Sequence, residues 1–113
     1  MDQELFESLI NKSESRTLDF KQEHYKLIGG SDVDTAKFVK DIISFTNTIR
    51  ETTAFIILGI AEVSEKIELK GITSPIDDNI LQSKIKDKAY PRPIFSYSNY
   101  VYKEMVFGII EYQ

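Results

Sequence analysis

The chain has 113 residues, enough for one domain spanning residues 1–113 and too few for two. It holds no cysteine and a single histidine, His24, so disulfides and zinc-thiolate sites are excluded. Any metal site must use oxygen ligands, which selects Mg²⁺, Mn²⁺ or Ca²⁺ and not zinc. The net charge of −4 is unevenly spread: Lys66, Lys70, Lys84, Lys86, Lys88 and Arg92 make residues 66–92 a mildly basic segment inside an acidic chain.

In chain order, the acidic start has neither the basic nor the apolar region of a signal peptide, and the longest apolar run, Ala54 to Ala61, is far too short to cross a bilayer. A cytoplasmic protein without membrane contact is expected. Leu5, Phe6, Leu9 and Ile10 predict a helix over residues 3–11, capped by Asp2. Residues 17–21 alternate as a strand, with Leu18 and Phe20 on one face and Thr17, Asp19 and Lys21 on the other. A loop over 22–31 ends in Gly29-Gly30. A helix follows from Asp32 to about Asn47, opened by a Ser31/Asp34 capping box. Ala36, Val39, Ile42, Ile43 and Thr46 read as its apolar face, with Lys37, Lys40, Asp41 and Ser44 outward.

Ala54 to Ile60 reads as a buried central strand in which Gly59 marks close backbone approach. A short strand is expected over Lys66–Leu69. Pro75-Ile76-Asp77-Asp78 opens a helix with an Asp cap, which runs to about Tyr90 because the residue before Pro91 leaves the α region. Its core positions are Leu81, Ile85 and Ala89. Residues 94–102 and 105–112 form a hairpin turning at Lys103-Glu104. The order α-β-α-β-β-α-β-β predicts an α+β fold, a mixed sheet covered by two or three helices. The chain stops in or just after a strand, so a longer protein with C-terminal partner domains is expected.

Candidate chemistry centres on Glu14 to Lys21. Asp19 and Lys21 share the outward face of a strand, Glu14 lies just upstream, and Glu62 falls just beyond the carboxyl end of the buried strand, the edge where open α/β sheets bind ligands. Clustered carboxylates can hold a divalent cation that polarises a phosphoryl group, and a lysine beside them neutralises charge developing on phosphate. From spacing alone the same residues read first as a surface ion pair and two loop acids. His24 reads as a loop surface residue. Tyr90, Tyr97, Tyr100 and Tyr102 read as cross-strand packing, with base stacking as the other reading.

Taken together, Leu18-Asp19-Phe20-Lys21, a helix ending Ser44-Phe45-Thr46-Asn47-Thr48, a buried strand ending Leu58-Gly59-Ile60, and Pro91-Arg92-Pro93 resemble the AlbA-type domain of the Schlafen family over roughly residues 14–112. The resemblance implies a nucleic-acid-binding domain, RNA or DNA. Some members are metal-dependent endoribonucleases acting on structured RNA such as tRNA, and many bacterial members sit at the N-terminus of longer regulatory or defence proteins. The family's acidic trio falls on Glu14, Asp19 and Glu62, which would be both catalytic and metal-binding, with Lys21 on the phosphate. The family favours Glu at position 19 and Asp at position 62, and a Gly-Gly where Arg50 to Thr53 stand. Lys84, Lys86, Lys88 and Arg92 are the expected backbone contacts. The alternative is a non-catalytic protein-interaction or oligomerisation module, a homo-oligomer included, pairing through an open sheet edge near Met105 to Tyr112.

Overall fold

The computed structural model describes residues 1–12, 14, 17–46, 53–73, 75–86, 88 and 92–112. Helix α1 (Gln3–Ile10) is followed by strand β1 (Leu18–Lys21), helix α2 (Asp32–Thr46), strands β2 (Ala54–Leu58), β3 (Ile60–Val63) and β4 (Lys66–Leu69), helix α3 (Asp78–Ile85) and strands β5 (Phe95–Tyr102) and β6 (Met105–Tyr112). The main sheet runs β1-β2-β6-β5, and β3-β4 form a separate two-stranded sheet. β1 and β2 are parallel, which requires a crossover between them, and α2 supplies it. The other pairings are antiparallel. The fold is α+β, as its sequence pattern predicts.

The period of two in β2 decides where everything else packs. Ala54, Ile56 and Leu58 face a core shared with α2 and α3 through Phe38, Ile42, Phe45, Leu81 and Ile85. Phe55 and Ile57 face a second core with Phe6 and Leu9 of α1. β6 does the same, sending Ile110 and Tyr112 to the first core and Phe107 and Ile109 to the second. Both strands are buried on both faces and paired on both sides, so the expected free edge at Met105–Tyr112 is instead interior. The edges are β1 and β5. Side chains from α3 cover part of the β5 edge: Asp78 Oδ1 accepts from the Tyr97 amide at 2.8 Å, and Gln82 Nε2 donates to the Phe95 carbonyl at 2.7 Å. Capping an edge this way removes the template for pairing with another chain.

Two helices begin as expected. Asp2 Oδ1 accepts from the Leu5 amide at 2.8 Å, and the Ser31/Asp34 box closes reciprocally at 2.9 and 3.2 Å. Asp77 sits at the α3 cap position but makes no side-chain cap bond. The face of α2 is rotated from the expected one. Phe38, Ile42 and Phe45 are buried, while Ala36 is exposed, because two phenylalanines bury more apolar area than alanine and valine can. The helix end at Asn47-Thr48, the Thr46 side chain, Ala89, Tyr90 and Pro91 lie outside the described residues.

Ile60 does not continue β2. Gly59 adopts φ +110° and turns the chain out of the main sheet into β3. Its amide donates to the Lys21 carbonyl, and its carbonyl accepts from Lys70 and Gly71. A Cβ there would lie 3.0 Å from the Gly71 backbone and from Phe107. By contrast, Ser64-Glu65 and Lys103-Glu104 hold positive φ in hairpin turns without glycine, a conformation that costs L-residues about 1 kcal/mol or more each. Gly59→Ala is therefore expected to destabilise the domain by about 2 kcal/mol or more, and Glu104→Gly to stabilise it by about 0.5–1 kcal/mol. Denaturant unfolding of the two variants reads both signs.

Candidate nucleic-acid interface

β1 puts Leu18 and Phe20 into the α1 core, and alternation then forces Asp19 and Lys21 toward α2. There they meet a partner that periodicity alone directs outward. Asp41, on α2, stands across from Lys21, whose Nζ lies 3.3 Å from Asp19 Oδ2 and 3.5 Å from Asp41 Oδ2. The Tyr25 hydroxyl donates to the same Asp41 oxygen at 2.6 Å. On the other side of Asp19, the Glu14 side chain shares a hydrogen bond with it, and Glu14 Oε2 also accepts from the Phe20 amide at 3.1 Å. Five side chains thus form a line: Glu14, Asp19, Lys21, Asp41, Tyr25.

The electrostatics follow from that geometry. Burial, and next the hydrogen bond to Glu14, push the Asp19 carboxyl up to about 6, against the opposing pull of Lys21. Burial works against the Lys21 charge, but Asp19 and Asp41 outweigh it and raise its pKa above the ordinary lysine value. Burial, helped by Asp41, raises the Tyr25 hydroxyl well out of its usual range. Tyr25 is therefore a hydrogen-bond donor at every physiological pH.

Beyond this line lies a groove of about 350 Å³ walled by the loop after β1 and by α2, where Lys21, Lys26, Lys37 and Lys40 converge with Tyr25 and with three carboxylates, Glu23, Asp34 and Asp41, which leaves the lysines in slight excess. The basic residues expected from the sequence lie further along the chain. Lys84 is half-buried in the last turn of α3, Lys86 and Lys88 are exposed just beyond it, and exposed Arg92 donates to Gln82 Oε1 at 3.3 Å. Lys88 joins Lys40 on a second cavity of about 650 Å³ along the outer face of α2, so the two lysine groups are linked through Lys40. The signal for the nearer group was weak because Lys26, Lys37 and Lys40 are scattered among acids in the sequence and converge only in space.

The acidic trio divides. Glu14 and Asp19 come together, whereas Glu62 stands exposed on β3, in the small hairpin beyond the Gly59 turn. Among the described residues no group of three or more His, Asp or Glu side chains gathers as a metal cage. The Glu14–Asp19 pair still suits a hard cation. Two neighbouring carboxylates can ligate Mg²⁺ or Mn²⁺, and Mg²⁺ typically uses one or two protein carboxylates and keeps water or phosphate in its other positions. His24 is no surface residue: it is half-buried, its Nε2 lies 2.9 Å from the Tyr97 hydroxyl, and burial lowers its pKa. Tyr97 and Tyr102 are buried and Tyr100 packs on Phe6, so these rings are packing groups. No helix among the described residues is long and apolar enough to cross a membrane.

A raised carboxyl pKa has a measurable sign. The folded state holds the Asp19 proton more tightly than the unfolded chain does. The group's contribution is therefore complete below the unfolded value near 4 and is lost as pH rises through about 6. Asp19→Asn is expected to be more stable than the wild type at pH 7, by about 1 kcal/mol after allowance for partial solvation. The gap should close as pH falls toward 4. Thermal melts across that range test this, and a less stable variant at pH 7 would mean that the ion pair with Lys21 outweighs burial.

The sequence model of the family described as Schlafen, AlbA_2 matches residues 14–113. No curated protein and no solved structure matches the chain. The match begins at Glu14 and takes in β1 with Asp19 and Lys21, both lysine groups and all six strands. The chain belongs to the Schlafen AlbA_2 family, a family of nucleic-acid-related domains.

Proposed function

We propose that the domain binds nucleic acid along the lysine groove beside β1 and that Glu14 and Asp19 hold Mg²⁺ or Mn²⁺ for cleavage of a phosphodiester there. The observation that carries this reading is the convergence of Lys21, Lys26, Lys37 and Lys40 on the flank of a hydrogen-bonded carboxylate pair. Lysines spaced along one groove neutralise successive phosphates and fix a strand without reading its bases. Lys88, with Lys84, Lys86 and Arg92 around the end of α3, extends that track. Lys21, restrained between Asp19 and Asp41, offers a fixed positive charge to the phosphate next to the pair. When bound, the cation polarises the phosphoryl group and lowers the pKa of a water on it. Two protein carboxylates with a substrate phosphate complete such a site, so Glu62 is not required in this reading.

A second reading, a recognition module without catalysis, is favoured by one observation: Glu14 already serves as the acceptor for the Phe20 amide on the β1 edge, a structural task. The two readings separate in one experiment. Labelled tRNA and single-stranded DNA are incubated with the purified protein in Mn²⁺ or in EDTA, beside Asp19→Ala. Metal-dependent cleavage that the variant lacks is the expected result. Binding without cleavage, insensitive to EDTA, would leave the recognition module. Independently, Lys37→Ala with Lys40→Ala should reduce the slope of log affinity against log salt by about 1.5 and weaken all sequences alike. Charge reversal at Lys84 and Lys88 should weaken binding as well, and unchanged affinity there would confine the interface to the groove beside β1.

A further inference from the structure

A cavity larger than the lysine groove lies next to it. It is a crevice of about 860 Å³ between residues 22–28 on one side and residues 70–73 with Pro75 and Ile76 on the other, within the size range of small-molecule sites. It opens beyond the carboxyl ends of the parallel strands β1 and β2, where ligands of such sheets are generally found. Glu23, His24, Tyr25 and Lys26 line both the crevice and the lysine groove, so one short loop is the wall between them.

The crevice is held open from below. His24, in one wall, lies 2.9 Å from the Tyr97 hydroxyl on β5. That hydroxyl donates to Asn99 Oδ1 at 2.5 Å, and Asn99 Nδ2 donates to the carbonyl of Ile76 in the other wall at 3.3 Å. The second loop is also tied to β6 by the Ile72 amide on the Val106 carbonyl at 2.7 Å. Gly108 makes room for the arrangement, since a Cβ there would sit 2.8 Å from the Tyr97 oxygen. The two walls are thus fixed at one separation before anything binds. Their lining is mixed: Ile28, Ile72 and Ile76 offer apolar surface, while Gln22, Lys26 and Thr73 offer hydrogen bonds and charge.

A preformed slot of mixed apolar and polar lining, separated by one loop from a groove that gathers four lysines, matches the two halves of a nucleotide. We infer that the crevice receives one unpaired nucleobase of a strand whose phosphates lie in the lysine groove, so that the substrate is single-stranded at the point of contact. The inference rests on the nucleic-acid reading above. It goes beyond it because a base paired in a duplex is stacked and cannot enter a slot without being flipped out.

The test is anisotropy in EDTA with a short labelled single-stranded RNA and with the same strand in a full duplex. Wild type should bind the single strand about tenfold more tightly, in the range expected for one base taken from water into a site. Thr73→Trp, at an exposed lining position, puts a large side chain into the slot. Asn99→Ala, also exposed, unties the wall at Ile76. Both should lose most of the single-strand preference while duplex affinity stays unchanged. Equal binding of the two RNAs by wild type, or an unchanged preference in Thr73→Trp, would overturn the inference and leave the lysine groove standing. Failure of wild type to bind either RNA would overturn the nucleic-acid reading, and this inference with it.

Discussion

Complete burial of β2 on both faces is the constraint from which the rest of the arrangement follows. A five-residue strand with no exposed side chain needs a layer on each side, and the chain supplies α2 and α3 on one and α1 on the other. Because β1 lies parallel beside it, the residues of β1 are sorted in the same way, and Asp19 and Lys21 are delivered to the α2 side. Had β1 been shifted by one residue, Leu18 and Phe20 would face α2 and the charged pair would be buried against α1. The position of the site is thus a by-product of core packing.

Within that frame Asp19 works against stability. Its ionisation is opposed by burial and by Glu14, and Lys21 compensates only in part. A carboxyl held in this state lowers the stability of the folded domain at neutral pH, yet it is also the state in which a cation is most welcome. Residues of this kind usually mark places where the fold gives up stability to chemistry, and replacing them often yields a firmer but idle protein. Asp41 and Tyr25 contribute from the opposite side by keeping Lys21 from closing fully onto Asp19.

Much of this was legible in the residues. The alternation in Leu18–Lys21, the Ser31/Asp34 box, the close approach at Gly59 and the hairpin at Lys103-Glu104 all have local physical causes that a single sequence displays. What escaped was non-local. The exit of the chain at Gly59 depends on a positive φ that periodicity does not record, so the apolar run through Ile60 spans two sheets. The turn at Ser64-Glu65 has neither glycine nor asparagine to announce it. The face of α2 is rotated onto Phe38 and Phe45, which outweigh Ala36, and a pattern that counts apolar positions equally does not show it. That same rotation hid Asp41, whose partners are twenty and sixteen residues away in sequence. The separation of Glu62 from the other two acids depends on where the small hairpin goes, which no spacing rule encodes.

Glu14 also joins two things that are normally independent. One of its oxygens is the acceptor for the Phe20 amide, and the same carboxylate shares a hydrogen bond with Asp19. A cation held by Glu14 draws on the same carboxylate that accepts from the Phe20 amide, so binding at the site and the anchoring of β1 bear on one side chain. The carboxylate is in that sense a coupling: a change of charge at the site is felt at the rim of the sheet beside it.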